Sequence, residues 1–323
     1  MDMLTDKKIP VIAVVGPTAS GKTVLAVSLA KALDGEVISA DSMQIYRGMD
    51  IATAKPTVDE MQSVRHHLID FLPPTEEYSV KRFCDDAFAA AKDIASRGKT
   101  VIVAGGTGLY VDALLGRLSF EEEPDHTEVR AELQARLREE GRDALVKELL
   151  DADPALADEI DLQNDRRVLR ALEIWRLTGE KPSVRRGRAF ENDTPFDPLY
   201  LGLFFRDRQL LYDRISKRVD LMLEAGLVEE ARAFYRDSAS STAVAAIGYK
   251  ELKPYFDGQL PLADAVENLK TATRHYAKRQ LTWFGRNDTL VRLYADDPGA
   301  PPLSERAINA AREFLLKRRL ADA

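Results

Sequence analysis

The chain holds a single cysteine, Cys84, among its 323 residues. That excludes intramolecular disulfides and any cysteine-rich zinc site, and a reducing cytoplasm is the expected compartment. The four histidines add no ligand pattern, so no zinc site is expected. Long apolar runs are also missing. No stretch approaches the roughly 20 residues that a membrane span requires, so no membrane association is expected. Residues 1–8 are polar and lack the apolar core and small-residue cleavage site of a signal peptide. Hydrophobic residues make up 45% of the chain and charged ones 31%, which fits a protein able to bury a sizeable core. The length implies one large domain with an insertion, or two domains.

Excess positive charge is lacking too: the net charge is −7, which speaks against a general nucleic-acid binder. The average conceals an uneven distribution. Residues 119–161 carry 15 acidic side chains against 5 basic ones, residues 163–188 carry 8 basic against 3 acidic, and residues 270–286 carry 5 basic and no acidic ones. A polyanion could bind such basic segments despite the overall sign, although solvated helix faces would give the same composition.

Residues 9–15, 36–39, 67–71, 100–104, 200–205 and 290–293 have the apolar character of short buried strands. Between most of them lie helical patterns, at 23–33, 80–97, 208–225, 228–235, 250–256, 262–284 and 303–319. Alternating strands and helices indicate a parallel sheet covered by helices. The rhythm changes near Glu121. Residues 127–177 are helical throughout, with Val129, Leu133 and Leu137 at four-residue spacing, and residues 179–198 resemble a loop rich in breakers. The expected organisation is an α/β core from residues 1–120 and 196–323, with an all-helical insertion at 121–195.

Four motifs carry chemistry. Gly16-Pro17-Thr18-Ala19-Ser20-Gly21-Lys22-Thr23 satisfies the P-loop pattern in full, between a strand and a helix. Its backbone N–H groups and the helix N-terminus suit an anion, Lys22 adds a mobile charge, and Thr23 is placed to hold Mg²⁺. The motif specifies a polyphosphate without choosing between ATP and an organic diphosphate. Asp41, in Asp41-Ser42-Met43-Gln44, follows a strand, where open α/β sheets place ligands; a turn or helix cap would use the same residues. Gly105-Gly106-Thr107-Gly108 ends another strand, and Thr107 offers a hydroxyl to a phosphate or a cap to a helix. No acidic residue of the kind that holds Mg²⁺ in P-loop ATPases ends that strand, which argues against simple ATP hydrolysis. Last, Thr273-Arg274-His275-Tyr276-Ala277-Lys278-Arg279-Gln280-Leu281-Thr282-Trp283-Phe284 interleaves cations and aromatics. Helical spacing puts Arg274, Lys278 and Thr282 on one face for phosphates; Tyr276 and Trp283 are equally readable as core residues.

These motifs, with residues 41–56, Arg170-Ala171-Leu172-Glu173-Ile174 and Ala246-Ile247-Gly248-Tyr249-Lys250-Glu251, resemble the bacterial tRNA dimethylallyltransferase family over nearly the whole chain. The resemblance implies a P-loop NTPase-like fold and transfer of a dimethylallyl group from dimethylallyl diphosphate to N6 of adenosine 37 of tRNA, beside the anticodon. It implies that the P-loop holds the diphosphate with Mg²⁺, that Asp41 is the general base, and that Thr107 and Arg214 contact the diphosphate. Arg218 competes with Arg214 for that role. Contacts to the tRNA anticodon stem-loop are implied for Asp41, Ser42, Met43, Gln44, Arg130, Arg166, Arg167, Val168, Leu169, Arg170, Ile247, Gly248, Tyr249 and Lys250. A monomer is expected. The family pattern Pro-Asn-Asp before its arginine pair here becomes Gln163-Asn164-Asp165, which leaves the register of that loop open. Two other readings share the P-loop: an isopentenyltransferase acting on free adenine nucleotides and a small-molecule kinase. The helical insertion and basic helix disfavour the first, and the later motifs are unexplained by the second.

Overall fold

Strand β1, Ile9–Val15, is apolar along its length because both of its faces are covered. Val11, Ala13 and Val15 belong to the apolar layer on one side, and Ile12 and Val14 to the layer on the other. This is the period-two alternation of a strand between two helical layers. The computed structural model describes residues 8–116, 127–188, 194–235, 241–244 and 246–321. Its further strands are β2 (Gly35–Ser39), β3 (His66–His67), β4 (Thr100–Gly105), β5 (Phe196–Phe204) and β6 (Val291–Tyr294). All pair in parallel, in the order β3-β2-β4-β1-β5-β6.

One layer packs helix Val80–Ser96 through Phe83, Ala87, Ala91 and Ile94, at helical spacing. Ser79 caps its start by accepting the Arg82 amide at 3.1 Å. The other layer packs helix Lys22–Ala32 through Leu25, Ala26 and Leu29, and helix Leu303–Ala321 through Ala307 and Ala311. The order places the P-loop after β1, residues 41–44 after β2 and residues 106–108 after β4 at one end of the sheet, the carboxyl end. Gly16 is required where β1 turns into the P-loop. Its φ is +148°, and a Cβ there would lie 2.8 Å from the Leu203 carbonyl of β5.

Two compact units result. One comprises Met1–Leu115 with Thr194–Ala323, the other Gly116–Asp193. The second has its own core of Leu133, Leu145, Leu149, Leu156, Val168, Ala171 and Leu172. Its longest helix, Asp165–Thr178, starts from Asn164, whose side chain accepts the Arg167 amide.

The sequence expectation fails at two places. The strand expected at 67–71 stops after His67, because Leu68 and Asp70 take φ of +58° and +55°, which no ladder accommodates. The loop expected at 179–198 contains the helix Pro182–Arg188 and the start of β5. Pro182 suits a first helical position, where its missing N–H costs nothing. Buried Asp153 accepts both the Ser183 amide at 2.8 Å and its hydroxyl at 2.9 Å, which satisfies the first turn. Pro198 fits inside β5 because β6 pairs only from Leu201 onward.

At the start of β2, buried Glu36 accepts two hydrogen bonds from Arg97 and lies 2.8 Å from the His67 ring. Those Arg97 hydrogen bonds, aided by His67 and opposed by burial, hold its carboxyl down at about 2. A depressed carboxyl stabilises the fold above its unfolded-state value near 4.5, and that contribution is lost as pH falls toward 2. Glu36→Gln should therefore cost about 1–3 kcal/mol at pH 7. The gap to the parent should close between pH 4.5 and 2 in urea unfolding; a pH-independent gap would contradict the ion-pair account.

Candidate active site

Residues from the carboxyl ends of β1, β2 and β4 enclose a cavity of about 670 Å³ with helices Arg208–Glu224 and Leu262–Phe284. Lys22, Arg214, Lys217, Arg218, Lys250 and Arg279 line it, against the carboxylates Asp41 and Glu60. A chain of net negative charge thus gathers cations around one hollow, which is the electrostatic signature of an anion site.

The P-loop supplies one wall. Ala19 takes φ +61° and Gly21 φ +95°, turning the loop into the start of helix Lys22–Ala32. The Arg214 side chain donates to the Ala19 carbonyl at 2.8 Å and lies over the Phe205 ring, so it is fixed against the loop. Arg218 also lines the cavity, 3.5 Å from the Ala54 carbonyl that its guanidinium meets. Burial pulls its pKa down, and Arg214 adds to that. Both candidate arginines therefore reach the site. Lys22 donates to the Pro17 carbonyl at 2.6 Å. Burial, and then the nearby Arg218 charge, lower its pKa to about 7, with Asp41 opposing. The Ser20 hydroxyl is buried with no hydrogen-bond partner among the described residues. A buried hydroxyl and a desolvated cation cluster both lack what a phosphate supplies. Gly16 and Pro17 shape the loop from behind; the cavity lining begins at Thr18.

The opposite wall begins at Asp41. One oxygen, Oδ1, accepts the Met43 amide at 2.9 Å and the Gln44 amide at 3.3 Å, so the carboxylate caps its own turn while facing the cavity. Gln44 donates to the Thr53 and Ala54 carbonyls, tying this turn to residues 50–54. Thr107 is placed differently from the sequence expectation. Its hydroxyl accepts the Ser42 amide at 3.1 Å and lies 3.4 Å from the Ser42 hydroxyl, and it is absent from the cavity lining. Thr107 holds the Asp41–Gln44 turn from behind.

Ile247, Gly248 and Lys250 line the cavity, whereas Tyr249 is buried and donates to Glu230 at 2.8 Å. The same Glu230 carboxylate accepts the amides of Asp50, Ile51 and Ala52. In the helical unit, Arg166 and Arg167 are exposed. Arg130 donates twice to buried Glu173, at 2.7 and 3.0 Å, and Arg170 once, at 3.2 Å. Val168 is buried in that unit's core, and Leu169, half-buried, packs against it.

The cavity meets a different face of the long C-terminal helix from the one that carries Arg274, Lys278 and Thr282. Thr273, Tyr276 and Gln280 line the cavity, together with Arg279, and Arg274, Lys278 and Thr282 do not. The spacing i, i+3, i+7 could have revealed this stripe, since it mixes polar groups into a face that is otherwise apolar. Burial first, and then Asp41, raise the Tyr276 phenol pKa, with Thr107 and Gln280 opposing. Glu230 carried no sequence signal. Trp283, readable as core, donates its ring N–H to Asp112 at 2.8 Å and packs where Gly108 has no side chain.

A metal would find few ready ligands: among the described residues no cluster of three His, Cys, Asp or Glu side chains is suitably placed. Thr23 lines the cavity at the first turn of its helix. One hydroxyl facing a phosphate site fits Mg²⁺ that arrives with the phosphate and keeps most of its water.

The family model for IPP transferases matches residues 44–288. A protein of Shouchella clausii described as a tRNA dimethylallyltransferase is 47% identical over 90% of this chain and 93% of its own. A full-length tRNA isopentenylpyrophosphate transferase from Bacillus halodurans has a similar structure, with TM-score 0.70, 41% identity and 97% of each chain covered. A eukaryotic dimethylallyltransferase captured acting on tRNA matches with TM-score 0.81 and 31% identity, over 96% of this chain and 80% of its own.

The low Lys22 pKa has a measurable consequence. An anion at the P-loop restores the charged form, so pyrophosphate binding near pH 8 should draw a proton onto Lys22. Affinity should then fall as pH rises above 7. Titration calorimetry in two buffers of different ionisation heat reads the uptake, and Lys22→Met should abolish the difference attributable to the protein. Equal uptake in parent and variant would refute it.

Proposed function

Because the chain belongs to the IPP transferase family, we propose that a dimethylallyl group passes, in the cavity under the P-loop, from dimethylallyl diphosphate to N6 of adenosine 37 of tRNA. The activity is that of a tRNA-modifying prenyl transferase. The observation that carries the site assignment is that one cavity is lined by both groups: the cation-rich P-loop and the Asp41 carboxylate.

The P-loop amides, Lys22 and Arg214 bind the diphosphate, with Arg218 as a second cation beside it. Lys22 regains its proton as the anion arrives and neutralises charge building on the leaving group. Mg²⁺, held by Thr23 and the diphosphate oxygens, would supply further neutralisation when bound. The allylic carbon–oxygen bond breaks and the N6–carbon bond forms. The proton leaving N6 goes to Asp41, whose Oδ1 is fixed by two amides. An exocyclic amine conjugated to the purine is a weak nucleophile, so a positioned carboxylate contributes directly to rate. Thr107 contributes by fixing the turn that carries Asp41.

The adenine must leave the anticodon-loop stack to reach Asp41. Ser42, Met43, Gln44, Ile247, Gly248 and Lys250 form the part of the lining that would receive it. Arg166 and Arg167, exposed on the helical unit, suit backbone phosphates of the same stem-loop. The protein acts as a monomer in this reading, since one chain supplies every group named.

Asp41→Asn preserves the side-chain oxygen that caps the turn and removes the base. Its kcat should fall about 10²–10⁴-fold. Binding to unmodified tRNA, measured by filter retention, should change less than about threefold, within the reach of a lost surface interaction. Product is read as isopentenyladenosine by mass spectrometry of digested tRNA. Parent-like kcat in the variant would remove Asp41 from its role, and phosphoryl transfer from ATP by the parent would remove the reading altogether.

A further inference from the structure

Gln280 is almost fully buried, yet it lies on the cavity wall near the C-terminal end of a 23-residue helix. A buried primary amide is costly unless both of its ends are satisfied. Here its two ends bond to different loops. Oε1 accepts the Thr18 amide of the P-loop at 2.8 Å, across 262 residues of sequence. Nε2 donates to the Gly106 carbonyl at 2.9 Å, across 174 residues.

The loops so joined are the two that carry the reacting groups. Thr18 begins the cavity-lining part of the P-loop. Gly106 precedes Thr107, whose hydroxyl holds the Ser42 amide, next to Asp41. Thr107 itself bonds through its amide to the Ala40 carbonyl at the end of β2. One continuous series of hydrogen bonds therefore runs from the diphosphate cradle through a single side chain to the turn that presents the base. The β1–β4 ladder ends at Val15 and Gly105, one residue before Gly106 and three before Thr18, and Gln280 extends the link between the two loops beyond it.

Gly106 has the complementary shape. A Cβ at that position would overlap the Gln280 amide nitrogen, while the glycine φ is one that alanine adopts without strain. The absence of a side chain at 106 makes room for this amide rather than serving a turn.

We propose that Gln280 is a positioning residue for group transfer: it sets the separation between the P-loop that holds the leaving diphosphate and the turn that carries Asp41. The inference rests on the function proposed above. Reactions between two bound groups depend on near-contact geometry, and a misplacement of about 1 Å can cost about 10²-fold in rate. A group that acts on spacing alone should change kcat and leave recognition of the macromolecular substrate intact.

Three variants test it: Gln280→Leu, which removes both hydrogen bonds; Gln280→Asn, which keeps the amide and is too short to span; and Gly106→Ala, which displaces the amide without altering it. Transfer is measured at saturating dimethylallyl diphosphate and unmodified tRNA, alongside the folded fraction by circular dichroism at the assay temperature. The expected result is a kcat at least tenfold lower for each variant per folded molecule, with KM for tRNA within about threefold of the parent. Gly106→Ala and Gln280→Leu should be non-additive, because each breaks the same bridge. Hydrogen exchange at the Thr18 amide should quicken in all three, a readout independent of turnover. If Gln280→Leu fails to fold, the other two variants decide by the same criteria.

Parent-like kcat per folded molecule in Gly106→Ala and Gln280→Asn would overturn the inference, as would a loss confined to KM for tRNA or full additivity of the double variant. A parent enzyme that transfers no dimethylallyl group would instead overturn the function on which the inference rests.

Discussion

Desolvated positive charge at the P-loop is the constraint on which the rest of the site depends. Burial and then the Arg218 charge hold the Lys22 pKa down, burial and then Arg214 hold that of Arg218 down, and Asp41 opposes both only in part. Such a cluster is unfavourable in isolation, and it is tolerated because the surrounding sheet, with 0% exposure along Val11–Val15, gives the loop a rigid base. Arg214, secured to Ala19, keeps the cluster from relaxing away from the cavity. In the proposed reaction a bound diphosphate offsets this repulsion, and the field that binds the anion also favours its departure with the bonding electrons.

The second wall solves a different problem. One oxygen of Asp41 is held by two backbone amides, which fixes the carboxylate in the place the proposed proton transfer requires. Around it, short polar side chains do the bracing: Thr107 for Ser42, Gln44 for residues 53 and 54, and Glu230 for residues 50–52. Ile45, Tyr46 and Met49 anchor these turns in the apolar core, and directional hydrogen bonds fix the orientation of the groups that face the cavity.

The parts of this arrangement that were legible in the sequence are those encoded locally. Buried strands appear as unbroken apolar runs, so β1, β2 and β4 stand out, and the P-loop is recognisable because its eight residues are contiguous. Asp41 is visible as an acidic residue at a strand end. What escaped notice is encoded by long-range contacts. Gln280 acquires its meaning from Thr18 and Gly106, and Glu230 from three amides some 180 residues earlier. Val168 and Tyr249, expected at an interface, have buried side chains, a fact set by packing that one-dimensional spacing does not contain. The end of β3 at His67 likewise follows from left-handed backbone at Leu68 and Asp70, which no residue-type rule anticipates.

The pairing of β1 with β5 carries a consequence for how the chain assembles. Val15 of β1 lies against Gly202 of β5, with the whole helical unit between them in sequence. During synthesis from the N-terminus, β1, β2 and β4 are available together long before β5 exists. The central strand must therefore wait with one edge unsatisfied until nearly two-thirds of the chain has been made, and closing that gap carries the entropy of a very long loop. A helical unit with its own core shortens the wait in effect, since it condenses the intervening segment into a compact body. The glycine that begins the P-loop rests on Leu203, so the anion cradle gains its final shape only at this late step. Competence to bind the diphosphate is in this sense a report that the sheet has closed.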